Sequence, residues 1–351
     1  MSERLRVGVS ADLRESAGQV LGPVLAHHFD PLPHVEYEYM QEYKGHVTAD
    51  QIIDYDAVIT LRPRYDAMSL RGVDRLAVIA RWGVGYDMID VPACTDANVV
   101  LAINRDAVRR PVAEAIVTLV LALARRLPVK DRVVREGRWD LRGAHPGLGL
   151  RGKIMGSVGL GNIGAELFRL LQPFGLARRL AFDPYVSQEE AASLDVELVD
   201  LDTLFKNSDF VAINCPLNDH TRGLVDAHLL GLMKPTAYLI NTARGAIVKQ
   251  DDLVEVLRAR RIGGAGLDVF DPEPLPADHP LTKMDNVILS PHSLAWTDHI
   301  YMDNSVGACQ SVLSVFSGEM PTYSVNREVA DRRGFQEKLR ALKERFGSLD
   351  R

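Results

Sequence analysis

The sequence predicts an α/β protein made of two doubly wound domains with parallel sheets. Three observations carry this. Short apolar runs of about five residues recur along the chain and end in glycine or a polar residue, as buried parallel strands do. Stretches of helical period stand between them. The chain has 351 residues, too many for one ordinary core.

In chain order, residues 5–9, 57–61 and 76–80 read as strands, and 18–28 and 67–74 as helices, giving a first parallel unit. The third strand runs into Arg81-Trp82-Gly83-Val84-Gly85-Tyr86-Asp87. Two glycines flanking one residue bare backbone N–H groups to an anion. Residues 105–111 then break the pattern with charge and with Pro111, a residue suited to the first turn of a helix. A long helix is expected over 112–136, and the first domain crossing near 102–111. Residues 210–214, 237–241 and 264–268 supply three later strands. Doubly wound sheets of the Rossmann-like or flavodoxin-like kind bind ligands beyond such strand ends. A last long helix runs from about Trp296 to Phe316. If it packs back on the first unit, that domain is discontinuous. The expected division is 1–104 with 296–330, then 105–295, then a charged tail over 331–351. The tail carries a short helical pattern (Phe335, Leu339, Leu342, Phe346) and reads as a solvated appendage or dimer contact.

Composition narrows the function classes. At 46% hydrophobic and 25% charged residues the chain is an ordinary globular protein. A net charge of −6 leaves no footprint for nucleic acid or an acidic membrane. Cys94, Cys215 and Cys309 are scattered, so neither a disulfide framework nor metal-ligand spacing emerges, which fits a reducing cytoplasm and no metal. Residues 1–6 lack the apolar core of a signal peptide. The longest apolar run, 113–124, contains Glu114 and Thr118 and is too short to span a bilayer.

The most informative stretch is 152–164, an apolar run leading into Gly159-Leu160-Gly161-Asn162-Ile163-Gly164. Gly159 permits the tight turn, Gly161 lets backbone approach a pyrophosphate, and Gly164 lets helix and strand pack closely. The pyrophosphate would meet the free N–H groups of a helix starting near Asn162 and Ile163. Asp183 follows Gly164 by 19 residues and closes the second strand. Its carboxylate suits the ribose hydroxyls of an adenosine and would repel a 2′-phosphate, so the cofactor read from the sequence is NAD rather than NADP.

Three polar residues lie just beyond later strands: Arg244, Glu273 and His292. Reducing a 2-oxo acid needs a cation to hold the carboxylate and polarise the ketone, and a proton donor near neutral pH. Arg244 suits the first task, with its permanent charge and fork of donors. His292 suits the second, with Glu273 on its far nitrogen fixing the tautomer.

Together these blocks resemble the D-isomer-specific 2-hydroxyacid dehydrogenase family. The matching residues are Gly-Leu-Gly-Asn-Ile-Gly (159–164), Asn-Thr-Ala-Arg-Gly (241–245), Gly-Leu-Asp-Val-Phe (266–270), Glu273-Pro274 and Ser-Pro-His (290–292). Gly83, Val84, Gly85 and Asp87 match the loop that binds the substrate carboxylate, so the likeness covers roughly 5–325. The resemblance implies an active site in the interdomain cleft, with Arg244 on substrate, His292 as acid/base and Glu273 orienting it. It places Pro216, Thr242 and Asp268 at the cofactor, Asp268 on the nicotinamide amide. It also implies a homodimer formed through the cofactor domain, and a 2-hydroxy or 2-oxo acid substrate such as glyoxylate or hydroxypyruvate. Arg62, just past the strand at 57–61, faces the substrate in the resemblance. With Arg64, Arg105, Arg109 and Arg110 it suggests either a second anionic group on the substrate, a phosphate or distal carboxylate, or arginines that are solvated or held in interdomain ion pairs. Departures from the family pattern fall around the pocket: Ile103-Asn104-Arg105, Val108, Pro111, Leu294 and Trp296. A second reading is a catalytically inactive NAD(H)-sensing, protein-binding module of corepressor type, since fold alone never proves catalysis.

Overall fold

Apolar runs of four or five residues become strands here because each buries both of its faces. In the computed structural model, which describes residues 4–41 and 45–347, neighbouring residues of one strand enter opposite cores. The order is β1 (Leu5–Val9), α1 (Asp12–Phe29), β2 (Val35–Tyr39), α2 (Ala49–Ile52), β3 (Ala57–Thr60), β4 (Val78–Arg81), α3 (Val91–Asp96), β5 (Val100–Ala102) and α4 (Arg105–Ala124). Then come α5 (Leu127–Arg135), β6 (Ile154–Val158), α6 (Asn162–Leu171), β7 (Arg178–Phe182), α7 (Gln188–Ser193), β8 (Glu197–Leu198), α8 (Leu201–Asn207) and β9 (Phe210–Ile213). The chain ends with α9 (Ala227–Leu232), β10 (Tyr238–Asn241), α10 (Gln250–Arg258), β11 (Gly264–Leu267), β12 (Val287–Leu289), α11 (Asp298–Phe316) and α12 (Arg333–Gly347).

Two compact units result: Met1–Val108 with Thr297–Arg351, and Arg109–Trp296. Unit 1 holds a five-stranded parallel sheet in the order β2-β1-β3-β4-β5, the flavodoxin-like pattern. Ala57 and Ile59 of β3 face the core under α1, α11 and α12, while Val58 faces the opposite core with Val47, Ile52 and Tyr55. Unit 2 holds seven parallel strands in the order β12-β11-β10-β9-β6-β7-β8, which extends the dinucleotide-binding order. Val211 and Ile213 of β9 pack beside α8, α9 and α10, and Phe210 and Ala212 beside α4 and α6. Alternation across a sheet covered on both faces is what makes such strands read as continuous apolar runs.

Several expectations need correction. Residues 67–74 form turns, not a helix: the Asp66 carboxylate accepts the N–H groups of Met68 (2.8 Å) and Ser69 (3.1 Å) as a helix cap would, but Gly72, at φ 71°, turns the chain away after the first turn. β2 was not foreseen. It is an edge strand with Glu36 and Glu38 turned outward, so it lacks the all-apolar signature. The helix expected over 112–136 is two helices, broken at Arg126 (φ 53°) ahead of Pro128. Pro111 lies inside α4, not in its first turn, since the helix begins at Arg105.

The charged C-terminal stretch is not a solvated appendage; only its residues 348–351 lie outside the described ones. α12 buries Phe335 and Leu342 in the unit 1 core. The Lys338 ammonium donates to the carbonyls of Leu76 (2.7 Å), Ala97 (2.9 Å) and Asn98 (3.2 Å). Arg345 pairs at 2.8 Å with Asp56, a fully buried carboxylate that also holds Arg75 and the Arg6 N–H at 2.8 Å. Buried charge is tolerated here because each oxygen of Asp56 is paired. Removing the Phe335 ring should leave a cavity costing about 3–5 kcal/mol. Chemical denaturation of Phe335→Ala should show that loss, and a change below about 1 kcal/mol would mean that α12 is not part of the core.

Candidate active site

The glycine turn lies between β6 and α6. Gly159 has φ 103°, and a Cβ there would stand 2.8 Å from the Asn214 carbonyl carbon. A Cβ on Gly164 would stand 2.4 Å from the Gly159 carbonyl oxygen, so helix and turn are in direct backbone contact. Around Gly161 the space is open, and it caps α6 with no side chain over the first N–H groups. At the end of β7, Asp183 accepts the N–H of Leu160 (2.8 Å) and of Tyr185 (2.9 Å). Those bonds fix the carboxylate beside the turn. Asn162 opens α6, and Ile163 is half-buried against the core. Pro216 is exposed beyond β9, its carbonyl accepting the Thr221 hydroxyl at 2.6 Å. The Thr242 hydroxyl is buried and has no hydrogen-bond partner among the described residues. An open glycine cradle, a fixed carboxylate and an orphaned hydroxyl fit a dinucleotide.

Beyond β10, β11 and β12 the three polar candidates of unit 2 gather. Glu273 Oε2 and His292 Nδ1 stand 2.8 Å apart, and Glu273 Oε1 accepts the Phe270 N–H at 2.9 Å. Burial by itself would push the Glu273 carboxyl up. The hydrogen bond and charge of His292, the Phe270 N–H and the charge of Arg244 outweigh it and hold the group below the usual carboxylate range. Arg244 is positioned by its own backbone: Asn241 Nδ2 donates to its carbonyl (2.9 Å), and its Nη1 donates to Ala243 O (2.7 Å). His292 sits at φ 53°, a left-handed conformation costing a non-glycine residue about 1–2 kcal/mol. The turn is held by buried Asp268, whose carboxylate accepts the N–H groups of Ser293 (3.1 Å) and Leu294 (3.2 Å).

In unit 1, Gly83 has φ 134°, and its missing side chain leaves room for the Arg81 guanidinium; a Cβ would lie 2.3 Å from Nη1. Arg81 donates to Gly85 O at 2.8 Å and to Trp82 O. Asn104 N–H donates to Gly83 O at 2.8 Å. The carbonyls of this loop are thus occupied from below by a buried cation, while Val84 and Gly85 stay partly exposed. Arg62 is exposed at the end of β3, its N–H held by Asp12 Oδ2 at 3.0 Å.

A sequence model described as the NAD binding domain of D-isomer specific 2-hydroxyacid dehydrogenases matches residues 117–293. A glyoxylate reductase of Thermofilum pendens is 39% identical over 79% of this chain and 83% of its own length. The chain belongs to the D-isomer-specific 2-hydroxyacid dehydrogenases. A D-3-phosphoglycerate dehydrogenase of Synechocystis is 36% identical over 77% of this chain, which spans only 50% of that protein. Among solved structures, the TT0316 protein of Thermus thermophilus superposes with a TM-score of 0.79 at 29% identity, over 92% of this chain and 100% of that one.

This dehydrogenase is therefore an NAD-dependent oxidoreductase of 2-hydroxy and 2-oxo acids, and the corepressor reading gains no support from the relatives found. Its departures from the family pattern resolve into ordinary packing at some positions. Val108 is buried, and Arg110 and Arg109 pair with Glu166 (3.2 and 4.0 Å) beside Arg169. Those two arginines are thus engaged with a carboxylate of their own unit, which favours the ion-pair alternative, though within one unit, over a part in drawing a second anion. Sequence reasoning also passed over Arg81 and Gln250. Arg81 had a signal, an arginine closing a strand immediately before two glycines. Gln250 had none, because its partner lies 21 residues away. The dehydrogenase with Gly164→Val should bind NADH at least about tenfold more weakly, since the Gly159 carbonyl must move. Fluorescence titration of NADH reads this, and wild-type affinity would show that the cradle does not hold the cofactor.

Proposed function

We propose that this dehydrogenase interconverts a small 2-oxo acid of the glyoxylate or hydroxypyruvate type with its D-2-hydroxy acid, with unit 2 as the NAD domain and unit 1 as the substrate domain. The observation that carries the reading is the 2.8 Å Glu273–His292 pair under the charge of Arg244. NAD would be held by the turn at Gly159, Gly161, Asn162, Ile163 and Gly164, by Asp183, and by Pro216 and Thr242; when bound, it supplies the hydride exchange. The Asp183 carboxylate favours a free 2′-hydroxyl, hence NAD over NADP. Asp268 we assign to holding the His292 turn, since its oxygens already receive Ser293 and Leu294.

The chemistry of the chain's own groups follows from this geometry. The Glu273 carboxylate accepts a hydrogen bond from His292 Nδ1–H, so the opposite nitrogen, Nε2, is the one available to the substrate. In reduction Nε2–H gives its proton to the oxygen formed at C2; in oxidation the neutral Nε2 takes it back. The ionised Glu273 stabilises the ring while it is charged. Arg244 holds the substrate carboxylate and polarises the C2 oxygen. Val84 and Gly85 are our candidates for further N–H contacts to that carboxylate, and Arg62 for a second anionic group. Gly83 shapes the loop, its own N–H donating to Arg81 O at 2.9 Å.

His292→Ala should lower kcat/KM about a hundred- to ten-thousandfold, and Arg244→Ala about a hundred- to a thousandfold. Because Glu273 is held below the usual carboxylate range, acid-side loss of activity should begin only at low pH, and Glu273→Gln should abolish that limb. A panel comparing glyoxylate and hydroxypyruvate with phosphorylated and dicarboxylic 2-oxo acids, in wild type and Arg62→Ala, assigns the substrate. No turnover across the panel would overturn the reading, and glyoxylate preferred with Arg62→Ala neutral would remove the second anion.

We also propose a homodimer through unit 2. α5 buries none of its residues, and Leu127, Val134 and Trp139 are exposed there and just beyond. Apolar groups so grouped mark an interface more often than free surface. Sedimentation should show a dimer for wild type and a monomer for Val134→Glu with Trp139→Glu; a wild-type monomer would refute it. A cytoplasmic setting is in keeping with three cysteines that are all free thiols.

A further inference from the structure

We infer that Gln250 is a positioning residue for the Glu273–His292 pair, acting through the backbone of the loop that carries Glu273. This rests on the oxidoreductase reading above. Gln250 is the first residue of α10, a helix anchored by the buried side chains of Leu253, Val254, Val256 and Leu257. Its amide Nε2 donates to Asp271 O at 2.9 Å, and the Asp271 N–H donates to its Oε1 at 3.2 Å. The two bonds run in opposite directions, as between paired strands, so neither a slide nor a rotation of Asp271 preserves both.

The loop needs such a hold. Among the described residues, the backbone of 269–273 makes no hydrogen bond to other backbone; its partners are the side chains of Gln250 and Glu273. On its other side Phe270 is pressed against Gly245, where a Cβ would fall 2.0 Å from the Phe270 carbonyl carbon. Phe270 is thus set between a glycine contact and, one residue on, the Gln250 clamp. It is the Phe270 N–H that holds Glu273 Oε1 while Oε2 meets His292. Among the described residues, charged or titratable groups facing Glu273 are His292 and Arg244; His279 lies beside the Gln250 amide, with Nε2 3.3 Å from the amide nitrogen, and Arg222, Lys249, Asp251 and Asp271 line the same surface.

The test uses the full-length enzyme with Gln250→Met, which fills similar space without hydrogen bonds, and Gln250→Glu, which keeps an acceptor for the Asp271 N–H. Gln250→Met should lower kcat about ten- to a hundredfold, the cost of a small misplacement of the acid/base pair, with KM for the 2-oxo acid and Kd for NADH within about twofold. The acid limb of kcat/KM should move to higher pH, because a loosened Phe270 N–H no longer stabilises the ionised Glu273. The His292 Nδ1–H signal in 15N-histidine NMR should lose its hydrogen-bonded position. Gln250→Glu should recover part of each effect. Wild-type kcat, pH profile and His292 signal in Gln250→Met would overturn the inference, and so would a fall in thermal stability alone. The NMR signal needs no substrate, so it decides the role of Gln250 even if wild type reduces no 2-oxo acid, the result that would fell the functional reading instead.

Discussion

A single 2.8 Å contact between Glu273 and His292 gathers most of what unit 2 does with its C-terminal half. The two residues are 19 apart in sequence, and no local turn brings them together. They meet because β11 and β12 are neighbours in parallel register, Leu267 opposite Leu289, so the loops leaving both strands depart from the same edge of the sheet. Each loop then needs its own fixing. The Glu273 loop takes its partners from side chains, and the His292 turn takes its partner from Asp268 at the end of β11. The left-handed backbone at His292 persists because those bonds over-determine it.

Electrostatics follow the same geometry. Desolvation alone would raise the Glu273 carboxyl, yet Glu273 faces His292, a backbone N–H and the charge of Arg244, which hold it below the usual carboxylate range. Its charge fixes one imidazole nitrogen as the donor to itself and leaves the other for chemistry. Arg244 in turn rests on Asn241, the last residue of β10. Adjacent parallel strands therefore each deliver one member of the constellation, which is why the ends of doubly wound sheets serve as sites.

Unit 1 divides its sheet between two tasks. At the N-terminal ends, α12 closes the sheet with Lys338 on the carbonyls of Leu76, Ala97 and Asn98 and Arg345 on Asp56. These residues precede β3, β4 and β5, so the polar groups spent there take no part in loops at the opposite ends. At the C-terminal end of β4, Arg81 is folded beneath the Gly83–Gly85 loop, where its guanidinium fills the volume that a glycine vacates.

The sequence alone determined what depends on local sterics and chain period. Strand after strand was legible because both faces are buried, and the glycine turn because close backbone approach at Gly159 and Gly164 excludes a side chain. The residue types of Arg244, Glu273 and His292 were legible too, each lying just past an apolar run. Tertiary structure decided which partner each polar side chain takes. Nothing local says that Arg110 belongs to Glu166, that Gln250 reaches Asp271, or that a charged C-terminal helix docks through Phe335 and Lys338. The turns at 67–74 were hidden too, because a capped first turn stops at the left-handed backbone of Gly72. Periodicity records which face of an element is buried; the partner of a charge is set by what the fold brings opposite it, and that is not written in spacing.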